Sequence, residues 1–389
     1  MTVPLNIHKA SNSTYPLHLL VTLLMLVYGS VAAQYKVTLT ILLPKETTAY
    51  QNLYLAGNIN QWQPNDVAYK SKQINTKAYS IYLPNCPKKL EYKITNGSWD
   101  AVETNADGTD VDNRILHIVS DTNITIKVAA FKADGAPQTY TKASTKSTQV
   151  QLLSDSFYFP TLNVYRKVWI YVPKNWTKKT KYPVLYMHDA QNTFDRITAF
   201  KDEWGVDEYL DQAAKQCIVV AIDNGGAQRL IEYSFASNAM ALVPKGKQYI
   251  HDIVHTLIPY VTKQYNTATG SKHTYIAGSS MGGIISYYAG IQYPKIFGKV
   301  GVFSPAFWIN YKPAQELAMR TTGGIRQHYY FYAGQQESPE MVQQMAHIYN
   351  LLKAKRGKSP FKLSIKGAGK HDELSWSKEL PGFFDWLLR

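Results

Sequence analysis

The chain has 389 residues, 45% hydrophobic and 18% charged, which excludes a wholly disordered protein and leaves room for two domains. Its net charge of +14 favours anionic partners or surfaces, but the lysines are spread along the chain without a dense basic run or a nucleic-acid motif, so nucleic acid is not an expected partner. The two cysteines, Cys86 and Cys217, fall in different predicted domains and make no disulfide framework.

The N-terminus opens with a polar stretch carrying Lys9, followed by the apolar run Leu17 to Val27 (LHLLVTLLMLV) and then small residues at Ser30 to Ala33. The run is short for a bilayer span, and Val31 and Ala33 suit a signal-peptidase cut before Gln34. Residues 1–33 therefore read as a cleaved signal peptide, which directs the chain to a periplasmic or extracellular location. An uncleaved anchor is the competing reading, and no later segment is long and apolar enough to remain in a membrane.

From residue 34 to about 130, short alternating runs (KVTLTILL, NLYLAGNI, AYSIYLP, KLEYKI, RILHIV) separated by turn residues predict a small antiparallel, immunoglobulin-like β-sandwich. Residues 131–150 are rich in Thr, Ser, Lys and Gly and read as a linker. Across 151–389 the rhythm changes. Strand candidates RKVWIYVP, PVLYMHDA, CIVVAIDN, TYIAGSS, KVGVFSP, HYYFYAG and FKLSIKG alternate with helical segments, which predicts a mostly parallel sheet covered by helices on both faces.

Gly278, Ser280 and Gly282 spell G-x-S-x-G between a predicted strand and a predicted helix. A serine at the tip of such a sharp turn exposes its Oγ, and glycines beside it let neighbouring backbone approach. A hydroxyl is a poor nucleophile until a base takes its proton. Three histidines follow Ser280: His328, His347 and His371. His371 lies in the loop after the last predicted strand, KGAGKHDELSW, and is the expected base. The acid that orients it, unless the site works with a Ser-His pair alone, is expected to be a glutamate, because no aspartate lies between Ser280 and His371. Glu337 follows the strand HYYFYAG at the same sheet edge, Glu340 competes with it one helical turn on, and Glu316 lies in a helix. Oxyanion donors are expected at the amide of Met281 and at that of Gln191 or Ala190 after PVLYMHDA. His188 and Asp189 read as loop-shaping. HDIVH, 251–255, imitates the zinc motif H-E-x-x-H but lacks a third ligand, so neither metal nor cofactor is expected.

YMHDAQNTFD, GSSMGG, SPAFW, YAGQQES and GKHDELSW together resemble the esterase D-like branch of the α/β-hydrolases, over roughly Val150 to Arg389. That branch includes feruloyl and acetyl-xylan esterases and siderophore trilactone esterases. The resemblance implies an α/β-hydrolase fold with Ser280 as nucleophile, His371 as base, Glu337 as acid and Met281 and Gln191 as backbone donors. It also makes Trp308, Trp376, Arg229, Glu232 and Tyr233 similar to pocket-lining positions, with core packing the alternative for both tryptophans. In the first domain, LYLAGNINQWQPND, LEYKITNGSWD and NRILHI resemble starch- and glycogen-binding modules. Trp62 and Trp99 then match sugar-stacking positions, unless Trp62 plugs the sandwich core. The implied activity is serine-dependent hydrolysis of a carboxylic ester, with a glycan-linked feruloyl or acetyl ester the first expectation for substrate and a ferric siderophore lactone the second. Acyl transfer to a sugar, or a glycan-binding protein with an inert hydrolase domain, are the readings of other kinds.

Overall fold

The computed structural model describes residues 34–44, 52–132, 143–200, 202–237, 243–320, 327–355 and 361–389; the expected signal peptide and most of the expected linker lie outside them. The chain divides into two compact units, Met1–Ala136 and Pro137–Arg389.

The first unit is all β: β1 (Gln34–Leu42), β2 (Tyr54–Gly57), β3 (Lys72–Asn75), β4 (Ala78–Pro87), β5 (Lys89–Thr95), β6 (Glu103–Thr104), β7 (Arg114–His117), β8 (Thr122–Lys127) and β9 (Ala130–Phe131). One sheet runs β3-β4-β1-β8, a second β2-β5-β7, and β6 pairs with β9. Every second residue of β1 (Val37, Leu39, Ile41) points into a core completed by Leu55, Ile81 and Tyr92, the period-2 pattern of a half-buried strand. Unlike its antiparallel neighbours, β8 pairs parallel to β1. Sequence reasoning missed β3 and β8, whose KQIN and TNITIK are mostly polar on the outward face.

The second unit carries an eight-stranded sheet built from β10 (Val150–Phe159), β11 (Val164–Tyr171), β12 (Val184–His188), β13 (Ile218–Ile222), β14 (Thr274–Ser279), β15 (Lys299–Phe303), β16 (His328–Gly334) and β17 (Lys362–Lys366). Its order is β10-β11-β13-β12-β14-β15-β16-β17, with β10 and β11 antiparallel to their neighbours and the rest parallel. Helices α1 (Val206–Gln212), α2 (Arg229–Glu232), α3 (Gly246–Asp252), α4 (Ile258–Tyr265), α5 (Met281–Gln292), α6 (Tyr311–Arg320), α7 (Pro339–Ala354), α8 (Glu373–Ser377) and α9 (Leu380–Leu387) complete it. The central strands are buried on both faces. In β16, Tyr329, Phe331 and Ala333 belong to the core beneath α5, α6 and α7, whereas Tyr330 and Tyr332 belong to the core beneath α9. Each such fully buried side chain contributes about 1.5–3 kcal/mol, so continuous apolar runs fix the central strands. This is the α/β-hydrolase arrangement, preceded by a small all-β sandwich.

β10 was not anticipated, and it begins inside the expected linker. Residues 143–149 are held to the second unit: Thr145 Oγ1 donates to Glu203 Oε1 at 2.6 Å, and Ser147 N to Asp207 Oδ2 at 2.7 Å. The chain reverses direction across the sheet at β12, which has β13 on one side and β14 on the other. In open α/β sheets a ligand crevice opens at the carboxyl ends of the strands where the order reverses. Cys86 and Cys217 are free and buried.

Candidate active site

Ser280 stands between β14 and α5 with φ 56° and ψ −118°, a conformation that L residues avoid and that tertiary contacts must enforce. Two backbone bonds fix it: Ser280 N donates to Phe303 O at 2.9 Å, and Ala306 N donates to Ser280 O at 3.2 Å. Gly278 is needed because a Cβ there would sit 2.8 Å from the Gly282 carbonyl carbon and 2.9 Å from His188 Cδ2. Ser280 is half-buried. Met281 is the first residue of α5, so its amide has no intrahelical partner and faces the N-terminal end of the helix dipole.

His371, in the loop between β17 and α8, places Nδ1 2.8 Å from Glu337 Oε2. The other oxygen of Glu337 accepts two donors at 2.6 Å each, Ser304 Oγ and the Gly334 amide. Ser304 in turn accepts Trp376 Nε1 at 2.8 Å, and the Trp376 ring meets the His371 ring edge-on, with centroids 5.3 Å apart. The carboxylate is therefore held on three sides, which turns the imidazole so that Nδ1 carries the proton and Nε2 is left as the acceptor. Gly334 also lets the two loops close up, since a Cβ there would fall 2.1 Å from the Gly369 backbone. Of the competing glutamates, Glu340 accepts a bond from Gln344 on its own helix, and Glu316 pairs with Arg320.

The loop after β12 forms the opposite wall. Asp189, at φ 59°, binds Arg229 through both oxygens at 2.6 and 2.7 Å and accepts Asn224 Nδ2 at 2.7 Å. Burial works against its charge, but Arg229 and Asn224 outweigh burial and hold the carboxyl below its ordinary range. His188 is buried beside it, with Nδ1 2.8 Å from the Tyr249 hydroxyl; burial, helped by Arg229 and opposed by Asp189, pulls it down to about 4, so the imidazole is neutral. Gln191 follows in a short 3-10 turn (Ala190–Asn192), its side chain bracketing the Asn224 backbone.

The expected pocket wall is corrected at Tyr233 and Glu232, and Trp376 takes the core-packing alternative. Tyr233 is fully buried and Trp376 is 4% exposed, so both lie behind the site, Tyr233 under the Arg229 guanidinium at 5.2 Å and Trp376 under His371. Glu232 is likewise buried and pairs with Arg166. Trp308, 45% exposed, stands on the loop after β15, and Arg229 keeps part of its side chain open. Sequence reasoning missed Ser304 as a support, although SPAFW carried it. In the first unit Trp62 and Trp99 are both half-buried and adjacent, with ring centroids 6.4 Å apart and planes inclined at 34°. The buried Asn60 side chain presents Trp62 by accepting Gly57 N and donating to Leu55 O, both at 2.8 Å. His251 and His255 stack on an exposed helix face, away from any cluster of three metal-binding side chains among the described residues.

A family model described as "Putative esterase" matches residues 160–382. An uncharacterized protein, YbbA of Bacillus subtilis (strain 168), is 22% identical over 237 residues, covering 57% of this chain and 92% of that protein. An alpha-amylase of Niallia circulans is 40% identical over 82 residues, 21% of this chain and 6% of the amylase. Among solved structures, an enterochelin esterase from Shigella flexneri superposes with a TM-score of 0.52 at 15% identity over 90% of this chain and 91% of that one, a likeness of fold.

Proposed function

The chain belongs to the "Putative esterase" family and is a carboxylic ester hydrolase, and from that premise we propose that Ser280, His371 and Glu337 are its nucleophile, base and acid. The observation that carries this reading is the bond from His371 Nδ1 to Glu337 Oε2, in a unit whose G-x-S-x-G serine is held in a strained strand-to-helix turn. Nε2 of His371 takes the proton of Ser280 Oγ as the oxygen attacks the ester carbonyl. The oxyanion that forms is met by the amides of Met281 and Gln191. Collapse expels the alcohol, which receives the same proton from His371, and leaves an acyl-enzyme on Ser280. Water then repeats the sequence and releases the acid. Met281 supports its donor role through its place at the start of α5, and Gln191 through its place in the turn after β12.

The substrate we assign is a glycan-linked ester, feruloyl or acetyl. The adjacent Trp62 and Trp99 and the 82-residue likeness to an alpha-amylase support sugar binding by the chain. A ferric siderophore lactone is the second reading, favoured by the net charge of +14 and by the fold shared with the enterochelin esterase over both units. Export through residues 1–33 fits either substrate. Among the described residues no helix is long and apolar enough to cross a membrane.

The test is hydrolysis of p-nitrophenyl acetate by the chain from Gln34 onward and by its Ser280→Ala variant. A loss of about a thousandfold or more in kcat is expected. Full activity in the variant overturns the serine mechanism. Feruloylated and acetylated oligosaccharides, run beside a ferric tricatecholate lactone, then separate the two substrate readings by kcat/KM.

A further inference from the structure

His371 and Gln191 belong to loops far apart in sequence, yet a catalytic site needs both at one spacing. Glu373, two residues past His371, begins α8 and is 8% exposed. Its Oε1 accepts Asn192 Nδ2 at 2.8 Å, a bond that spans 181 residues of chain. Asn192 has little choice of orientation. Its Oδ1 already accepts the Phe200 amide at 2.9 Å, its carbonyl accepts Trp204 N at 2.8 Å, and its own amide donates to Asp189 O at 2.9 Å. Only the amide NH2 is left to face Glu373. The neighbouring contact between the same two loops is apolar, Trp204 against Trp376 at 5.5 Å, and sets separation without fixing register.

We propose that Asn192 and Glu373 are positioning residues whose hydrogen bond locks the histidine loop to the oxyanion loop. The inference rests on the esterase reading above, because that reading makes the spacing of His371 and Gln191 matter. Neither residue touches the ester. Each acts through its chain neighbour, Glu373 through His371 and Asn192 through Gln191. A displacement of about 1 Å between reacting groups costs on the order of a hundredfold in rate, so one bond at this point carries kinetic weight out of proportion to its stability.

The experiment compares the wild-type chain with Glu373→Ala, Glu373→Gln, Asn192→Ala and the double alanine variant on p-nitrophenyl acetate, with amide hydrogen exchange followed over residues 189–200 in each. Glu373→Ala is expected to lower kcat by about tenfold or more with KM within about twofold, and to speed exchange in 189–200 although the substitution lies in the other loop. Glu373→Gln keeps the accepting oxygen and is expected to recover most of both effects. The double variant is expected to be no worse than the worse single variant, the signature of one shared bond. Asn192→Ala gives the same readouts from the opposite side if Glu373→Ala fails to fold. Unchanged exchange over 189–200, multiplicative losses in the double variant, or equal impairment in Glu373→Gln and Glu373→Ala would each overturn the proposal. A wild-type chain without turnover removes the esterase reading instead, and exchange still reports whether the loops are tied.

Discussion

The role proposed for Glu337 is open to a sharp test, because its two oxygens have different partners. Oε1 accepts two donors and Oε2 accepts one, so a Glu337→Gln amide must either leave Ser304 and Gly334 facing an NH2 or turn its NH2 toward His371. The second option costs fewer bonds and places the imidazole in the wrong tautomer. We expect kcat to fall by about a thousand- to ten-thousandfold with the fold intact, measured by ester hydrolysis beside circular dichroism. Glu373 offers a pH test. Burial pushes its carboxyl from an ordinary 4.5 up to about 7, with Asp189 and Asp372 adding to the rise and its own backbone amide and His371 opposing it. Between those values the folded chain keeps a proton that the unfolded chain has released, so this group makes stability fall as pH rises from about 4.5 to about 7. Glutamine cannot ionise. The stability of Glu373→Gln should therefore gain on wild type between pH 5 and pH 8, by at most about 3 kcal/mol, read as a rising difference in melting temperature. A gap that stays constant with pH would mean the carboxyl is solvated.

At the scale of elements, the turn that carries Ser280 is a packing problem solved by small residues. Gly278→Ala would drive a Cβ into the Gly282 backbone and the His188 ring, and His188 cannot yield easily because Tyr249 holds its other side. A destabilisation of about 1–3 kcal/mol is expected, read as a lower thermal midpoint and a lower kcat together. This element was legible in the sequence, as were β12 to β16, because a strand buried on both faces must be apolar throughout. The elements missed were those with one face in water. β10, VQLLSDSFYF, is an edge strand with polar residues at its middle, and nothing in its own composition distinguishes it from a loop. The site was legible in the same uneven way. Of the proposed site, Ser280 and His371 are picked out by motif and by place at the end of a strand, and the acid narrows to three glutamates. The bonds from Ser304, Gly334 and Asn192 are not, since each joins residues whose proximity the completed sheet creates. Tyr233 is buried where a pocket wall was expected, and Trp376 falls to the core-packing alternative, because an aromatic beside a proposed catalytic group reads alike whether it faces substrate or stands behind the group.

For the molecule as a whole, the reading proposed above gives the two units separate chemistries. The tryptophan pair of the first unit should retain the chain on an insoluble glucan, and Trp62→Ala or Trp99→Ala should each weaken that retention about tenfold or more, measured by depletion binding. Equal retention in all three proteins would take the tryptophan pair out of sugar binding, and no retention of the wild type would remove the sugar from the substrate reading. The second unit has a different consequence, one of order in time. The proposed nucleophile follows β14, the proposed acid β16 and the proposed base β17, so these groups arrive at one edge only after β17 has docked. Parallel strands joined through helices pair late, since long loops must close before any contact rewards them. On the proposed roles, a ribosome makes the serine before the glutamate and the histidine that would activate it, so the nascent chain is expected to stay chemically silent until β16 and β17 have joined the sheet.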